Sequence, residues 1–503
     1  METTLKQVSE AVAAIPDIYD RLAEFGTEVE TAVAQLVREL EIIKERLDQI
    51  PEPVPVPEPE PEPPQNEDII LSCTNDGSVV VNSAIIHAMT EAVAKKVAVQ
   101  IPAGTYWIKP GLKITASLVG TDAVFITKET SLYNVMIQTV GSNLTIYGIT
   151  FDQREDAPML TDSKNYKGLH IIHIPDADSI TIEKCTFYGC GVTCILSNPF
   201  DGYGYNLSIE YNEFYWERKV NSYFDVSIIN ADGVNIYVAG NNIFVSKNPA
   251  VDDWWAETGI EFHCCTGRIK DNYVANCVNG LLHLAYPSLY KVYDPNLQGG
   301  TLIYQNEIRA VCRGIVCWNT LNDLPIVTKD VSIYENEIEL YLDRRGRSYY
   351  YPSVGIGLVD GGKDNSEFVN ILIEDNTITT QYKAGLNVKA ILNYGPLAST
   401  LGGIYLMTRN SCKFVEIARN YVNFPFTGVQ CQAVGDNMHE SISIEGNTFA
   451  DCAIYRGYLT GEFDAVLNFD NTNGATITDN ILTGNYIKDI QAGSNAIDIN
   501  YYD

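Results

Sequence analysis

Positive charge is what this sequence has least of: 34 Lys and Arg stand against 64 Asp and Glu in 503 residues, a formal net charge of −30. Neutralising phosphates takes clustered Lys and Arg, so a nucleic-acid binder working through a general basic surface is excluded. No apolar run reaches the roughly eighteen residues that a membrane-spanning helix needs, and no membrane insertion is expected. The first thirty residues lack an apolar leader core and carry Glu2, Glu10, Asp17 and Asp20. A secretory leader is therefore not expected, and the chain reads as soluble and made in a cytoplasm. The twelve cysteines form no CxxC zinc knuckle, and without a leader they are expected as reduced thiols. No phosphate-binding glycine loop, Ser-His-Asp arrangement, zinc motif or DxDxDG calcium loop is present. Neither a cofactor nor a metal is expected. What is present is 46% hydrophobic residues, too many for wholesale disorder and enough for a large core.

Three zones follow one another. Over residues 1–50 apolar residues recur at spacings of three and four, with Val33, Leu40 and Leu47 at a positions and Val29, Leu36, Ile43 and Ile50 at d positions. That pattern predicts an α-helical coiled coil for oligomerisation or attachment, and Ile at d with a mixed seam favours a trimer over a dimer. Pro16 and Gly26 weaken its beginning. Residues 51–68 open with PEPVPVPEPEPEPP, eight prolines and four glutamates, which predicts an extended polyproline II spacer. At roughly 3.1 Å per residue it spans about 40 Å. Residues 1–68 hold 5 basic and 17 acidic groups, so −12 of the charge lies there and −18 on the remainder.

From residue 69 onward the sequence repeats. An apolar residue, two others, Asn, one other and an apolar residue recur at Asn212, Asn241, Asn272, Asn306, Asn336, Asn376, Asn420, Asn447 and Asn480, with Ile149 and Cys185 at two earlier copies. Successive copies lie between 27 and 44 residues apart. That drift suits coils of short strands joined by loops of varying length better than a helical repeat. The prediction is an all-β chain, a right-handed parallel β-helix, with an asparagine ladder at one corner. Most Asn corners are followed by a glycine-led alternating strand such as GIEFHC (259–264), GIVCWN (314–319) or GIGLVD (355–360). The first and third residues after Gly are predicted inward. Cys194, Cys317 and Cys431 take that third position, and Cys190, Cys277 and Cys452 lie five residues past the corner. All six are read as small buried hydrophobes.

Residues 75–108 carry an Asn75-Asp76-Gly77 turn, a short helix around Ala84 to Ala94 and a strand-turn from Ile101 through Tyr106. These resemble the opening motif of pectin-lyase-like β-helix proteins, many of them bacteriophage tailspikes. The family often has Asp where this chain has Asn82. The resemblance implies a helix capping the first coils over residues 69–120 and a β-helix over 121–503. Together with the N-terminal heptads it resembles a phage tail appendage. It implies a homotrimer that meets host-surface polysaccharide, joins phage tail or baseplate proteins through its N-terminal region, and resides on the virion after assembly in the host cytoplasm. No C-terminal trimerisation domain is evident, so the trimer would lean on the N-terminal seam.

Alternation places Glu261 and His263 outward in GIEFHC, with Ser227 as the equivalent one coil earlier and His283 and Trp318 as outward neighbours one and two coils later. Just before that strand lies AVDDWWAETG, with Asp252, Asp253, Trp254, Trp255 and Glu257. Acids beside aromatic platforms are what glycoside cleavage uses: one carboxyl gives a proton, another activates water or attacks, and rings stack on sugars. Glu257 or Glu261 would be the acid of raised pKa, Asp252 or Asp253 its ionised partner, and His263, His283 and the three tryptophans would bind substrate. The competing reading makes these acids solvated surface charge and the paired tryptophans a subunit contact. A polysaccharide-depolymerising spike, hydrolytic rather than eliminative, is the expectation. A non-enzymatic glycan-binding spike and a bacterial polysaccharide lyase are the alternatives.

Overall fold

A strand whose residues alternate inward and outward buries one face only if something covers it, and here the covering is the next coil and the opposite wall. The computed structural model describes residues 68–128, 135–153, 170–175, 178–189, 193–197, 206–216, 227–245, 258–284, 300–319, 327–341, 353–360, 367–380, 401–408, 411–433, 438–452, 465–470, 472–483, 488–492 and 497–502. The predicted coiled coil and spacer lie outside them. The described strands pair in parallel, each with the strand one coil above and below. Three ladders result. The first contains Ile180–Glu183, Asn206–Glu210, Gly300–Tyr304 and Ser411–Ala418. The second, past the Asn corner, contains Thr186–Tyr188, Glu213–Trp216, Glu337–Leu340 and Thr377–Thr380. The third contains Ile195–Ser197, Ser353–Asp360, Leu401–Thr408 and Thr427–Ala433. Thr258–Lys270 is long enough to serve the third ladder with its first half and the first with its second.

Between the walls runs one apolar core. Ile209, Val238, Ile269, Ile303, Ile333, Ile373, Ile417 and Ile444 stack from the first ladder with no exposed surface. Phe125, Phe151, Phe187 and Phe214 stack from the second, with ring centroids 5.8, 5.2 and 4.6 Å apart. The asparagine ladder is continuous. From Asn212 to Asn480 every Nδ2 donates to Oδ1 of the next asparagine, at 2.9 Å in all eight steps. Each Oδ1 also takes a backbone N–H: Asn306 N reaches Asn336 Oδ1 at 3.1 Å. Cys185, standing where an earlier Asn would, gives its N–H to Asn212 Oδ1 at 2.8 Å.

The glycine heading the third-ladder strand has a steric cause. A Cβ on Gly280 would lie 2.2 Å from Ile308 Cγ2 and 2.6 Å from the carbonyl oxygen of Gly314, which heads the next coil's strand. No side chain fits where this strand begins against the second ladder.

The predicted capping helix spans Asn82–Lys95 and turns Ile85, Ala88, Met89 and Ala92 onto the core. It ends at Lys96 in the left-handed conformation, whose N–H returns to Ala92 and Val93. Asn82 does not cap through its side chain; it exchanges two 2.8 Å bonds with the Lys109 backbone. The helix covers strand edges that would otherwise invite pairing with other chains.

Cys185, Cys277, Cys317, Cys431 and Cys452 are free and buried, and burial pushes the Cys317 thiol up to about 12. That rules out a thiolate nucleophile there. Cys194 is a correction to the all-reduced expectation: it is buried as foreseen but disulfide-bonded. Cys190 lies outside the described residues.

Candidate functional site on the outer face of the third ladder

Ile260 and Phe262 enter the core, which leaves Glu261 and His263 on the other side of the wall, as alternation requires. They are not solvated, however: Glu261 is 8% exposed and His263 5%. His263 Nε2 lies 2.7 Å from Glu261 Oε1, and Ser227 Oγ donates to Glu261 Oε2, so both carboxylate oxygens are engaged. Burial pushes the Glu261 pKa up, but the hydrogen bond and charge of His263 and the Ser227 hydroxyl outweigh it and hold the carboxyl below its ordinary value. Glu261 is therefore an ionised group, which corrects the expectation of a raised acid. The Ser227 hydroxyl serves to fix the Glu261 carboxylate. Its register is also corrected: Ser227 pairs with Thr258, and the residue below Glu261 is Asn230, while Asp232 lies below His263.

His283 departs from the sequence expectation. It pairs with Phe262 below and Cys317 above, both inward, and its ring stacks on Phe262 at 5.0 Å. Thr301 Oγ1 stands 3.4 Å from its Nε2. Burial and the neighbouring His263 push its pKa down to about 3. It is a neutral core imidazole and not a substrate-facing group.

The outward column holding Glu261 changes character from coil to coil. In order it reads Gln138, His173, Leu196, Asn230, Glu261, Leu282, Val316, Gly357, Tyr405 and Gln430. Above Glu261 it becomes apolar. Leu282, Leu284, Val316, Val354, Val359 and Tyr405 form a second hydrophobic cluster outside the main core, with Trp318 half-buried against it. Trp318 is thus outward, as expected.

A polar column missed in the sequence lies alongside. Ser227, Thr258, Asn279 and Arg313 stack in register. Asn279 Nδ2 donates to Thr258 Oγ1 at 3.1 Å, and Arg313 Nε donates to Asn279 Oδ1 at 2.7 Å. The Arg313 guanidinium lies 5.4 Å from the Trp318 ring centroid, a cation–π distance, and the residue is only 1% exposed. The available signal was position: Thr258, Asn279 and Arg313 each immediately precede a strand-heading glycine.

The structure thus brings Glu261, His263 and Trp318 to one face and removes His283 from it. Asp252, Asp253, Trp254, Trp255 and Glu257 lie outside the described residues. No cluster of three potential metal ligands occurs among the described residues. This face offers an ionised, oriented carboxylate with apolar surface above it and Trp318 two coils further on, and a carboxylate is able to accept a proton from water or a sugar hydroxyl.

No protein-family model matches the sequence, and no curated protein matches it. Among solved structures, a variant of the tailspike protein of the E. coli bacteriophage HK620 in complex with a pentasaccharide is similar, with a TM-score of 0.58 and 10% identity. The match covers 85% of this chain and 80% of that one. PfbA, a surface adhesin of Streptococcus pneumoniae, gives a TM-score of 0.53 at 12% identity, covering 85% and 92%. At such identities the likeness is one of fold: the chain is a right-handed parallel β-helix of the kind found in phage tailspikes.

Proposed function

We propose that this chain is a phage tail spike that binds a host-surface polysaccharide along the outer face of the third ladder and hydrolyses it. The observation carrying the proposal is Glu261, a desolvated carboxylate held ionised by His263 and Ser227 on the same outer face as Trp318, two coils away. In this reading Glu261 is the ionised partner that activates water or stabilises positive charge on the sugar. The proton donor would come from Glu257, Asp252 or Asp253 on the preceding segment, with Trp254, Trp255 and Trp318 as stacking surfaces and His263 holding Glu261 in place. The tailspike of bacteriophage HK620, bound to a pentasaccharide in its structure, supports the reading by fold. The N-terminal heptads would trimerise the chain and, with the spacer, join it to the phage tail on the virion. Sedimentation of the full chain is expected to give three copies.

The test is to incubate the full chain with polysaccharide from candidate hosts, following new reducing ends and the ultraviolet absorbance of unsaturated sugar. Reducing ends without that absorbance are expected, and Glu261→Gln should slow their release about a hundredfold. Unchanged release by Glu261→Gln would discard the assignment; unsaturated product would replace hydrolysis with elimination. A second reading, a spike that holds glycans without cutting them, rests on the same pair. With both oxygens engaged and little surface exposed, Glu261 can serve instead to tie adjacent coils together. Retention of polysaccharide with no product would favour it.

A further inference from the structure

On the outer side of the first ladder, away from Glu261, an open concavity of about 470 Å³ runs across four coils. One edge is the column Asp330, Asn370, Phe414 and Ser441, and Glu416 and Ser443 lie on the other. At a coil spacing of about 4.8 Å the column is about 14 Å long, room for a short run of sugar units. All four column residues have positive φ, at 57°, 58°, 56° and 56°, and Gly300 and Gly474 in the flanking coils also have positive φ, at 93° and 74°. Asp, Asn and Gly adopt this left-handed conformation with little strain. A phenylalanine does not, and Phe414 gains no compensating burial, being 61% exposed. An aromatic ring is thus held in solvent, in a strained backbone, where the other coils of this column carry Gly, Asp, Asn and Ser.

We propose that Phe414 is the stacking platform of a second glycan-binding site, separate from the third-ladder face and selective for neutral oligosaccharides. The ring offers an apolar face to a pyranose. Asp330, Asn370, Glu416, Ser441 and Ser443 supply acceptors and donors for hydroxyls, and Asn370 is already aligned by its bond to Asp330. The residues lining the concavity include two carboxylates and no Lys, Arg or His, so a polyanionic glycan is repelled. A second copy of the chain suits it less well. The concavity is small and carries two carboxylates and an amide among its lining residues, whereas a stable interface needs about 1,000 Å² of complementary surface.

The test uses the full chain and a printed panel of neutral and acidic bacterial oligosaccharides of a few sugars. The wild type is expected to bind one or more neutral glycans. Phe414→Ala and Phe414→Asn should bind them at least tenfold more weakly, and Glu261→Gln should bind them equally well. Asn suits the left-handed conformation, so Phe414→Asn should unfold at or above the wild-type temperature, which separates lost binding from lost folding. Failure to bind any neutral glycan, or equal binding by the Phe414 variants, would overturn the proposal. So would binding abolished by Glu261→Gln alone. A changed sedimentation coefficient in Phe414→Ala would make this face a contact between copies instead. Cleavage lost in Glu261→Gln while neutral glycans are still held would establish that the two sites are independent.

Discussion

The Asn corner and the outer face of the third ladder are built by the same coils under opposite rules. At the corner one residue type repeats nine times, each amide in the same geometry as the last. On the outer face no residue type persists for more than a coil or two: amide, imidazole, aliphatic, amide, carboxylate, aliphatic, glycine and phenol succeed one another in a single column. The corner must satisfy buried backbone groups at every level, and from Asn212 on the same amide does so in every coil. The outer face carries no such obligation and is free to differ locally, which is where recognition and chemistry can be placed.

The comparison can be broken by experiment, beginning with acid. His283 and His439 are both buried, and burial holds them neutral at about 3 and about 4. His439 Nδ1 accepts the Cys412 N–H, which only an unprotonated nitrogen can do. Their folded pKa values lie below the unfolded value of about 6.5, so the unfolded chain takes up protons that the folded one refuses. Stability is complete above pH 6.5 and declines as pH falls towards 4, by about 1.4 kcal/mol per unit for each histidine. The two together should cost about 5 kcal/mol by pH 4.5, read as a fall in the urea midpoint. His170, which burial also lowers to about 4, adds a similar share, so His283→Leu should remove about a third of the measured slope. If it removes none, the interior is not the dry counterpart of the outer face.

Asn336→Ala comes next. It deletes a buried amide within hydrogen-bond distance of Asn376 Oδ1, Ile303 O and Tyr334 O and strands the Asn306 backbone N–H, while Asn306 Nδ2 keeps Ile269 O and Tyr304 O. A loss of about 3 kcal/mol is expected from denaturant unfolding, with glycan cleavage intact, the inverse of the Glu261→Gln outcome. A smaller loss, about 2 kcal/mol, is expected for Gly280→Ala, whose new Cβ must displace Ile308 and the Gly314 carbonyl. A neutral outcome there would mean that the glycines mark a habit of the repeat and not a steric need.

What the sequence made legible follows the same division. The Asn triplet, the glycine-led strand, the buried cysteines and the capping helix were readable because each recurs or follows one period. His283 is the third residue after Gly280, so alternation counted from that glycine points it inward, and placing it as an outward neighbour of His263 missed that count. Ser227 was misregistered because Ile228 stands where later coils have glycine, which removes the marker from which register is counted. The low pKa of Glu261 was not legible, since it depends on His263 two residues along and on Ser227 one coil below.

One property of the corner reaches beyond stability. All eight amide links run the same way, donor on the lower-numbered coil and acceptor on the higher. Dipoles joined head to tail polarise one another, so this file of asparagines gives the rod an electrical direction, positive towards its higher-numbered coils. A newly wrapped turn would then meet a row of pre-oriented donors waiting for its carbonyl, which makes winding from the N-terminal side the easier order of growth.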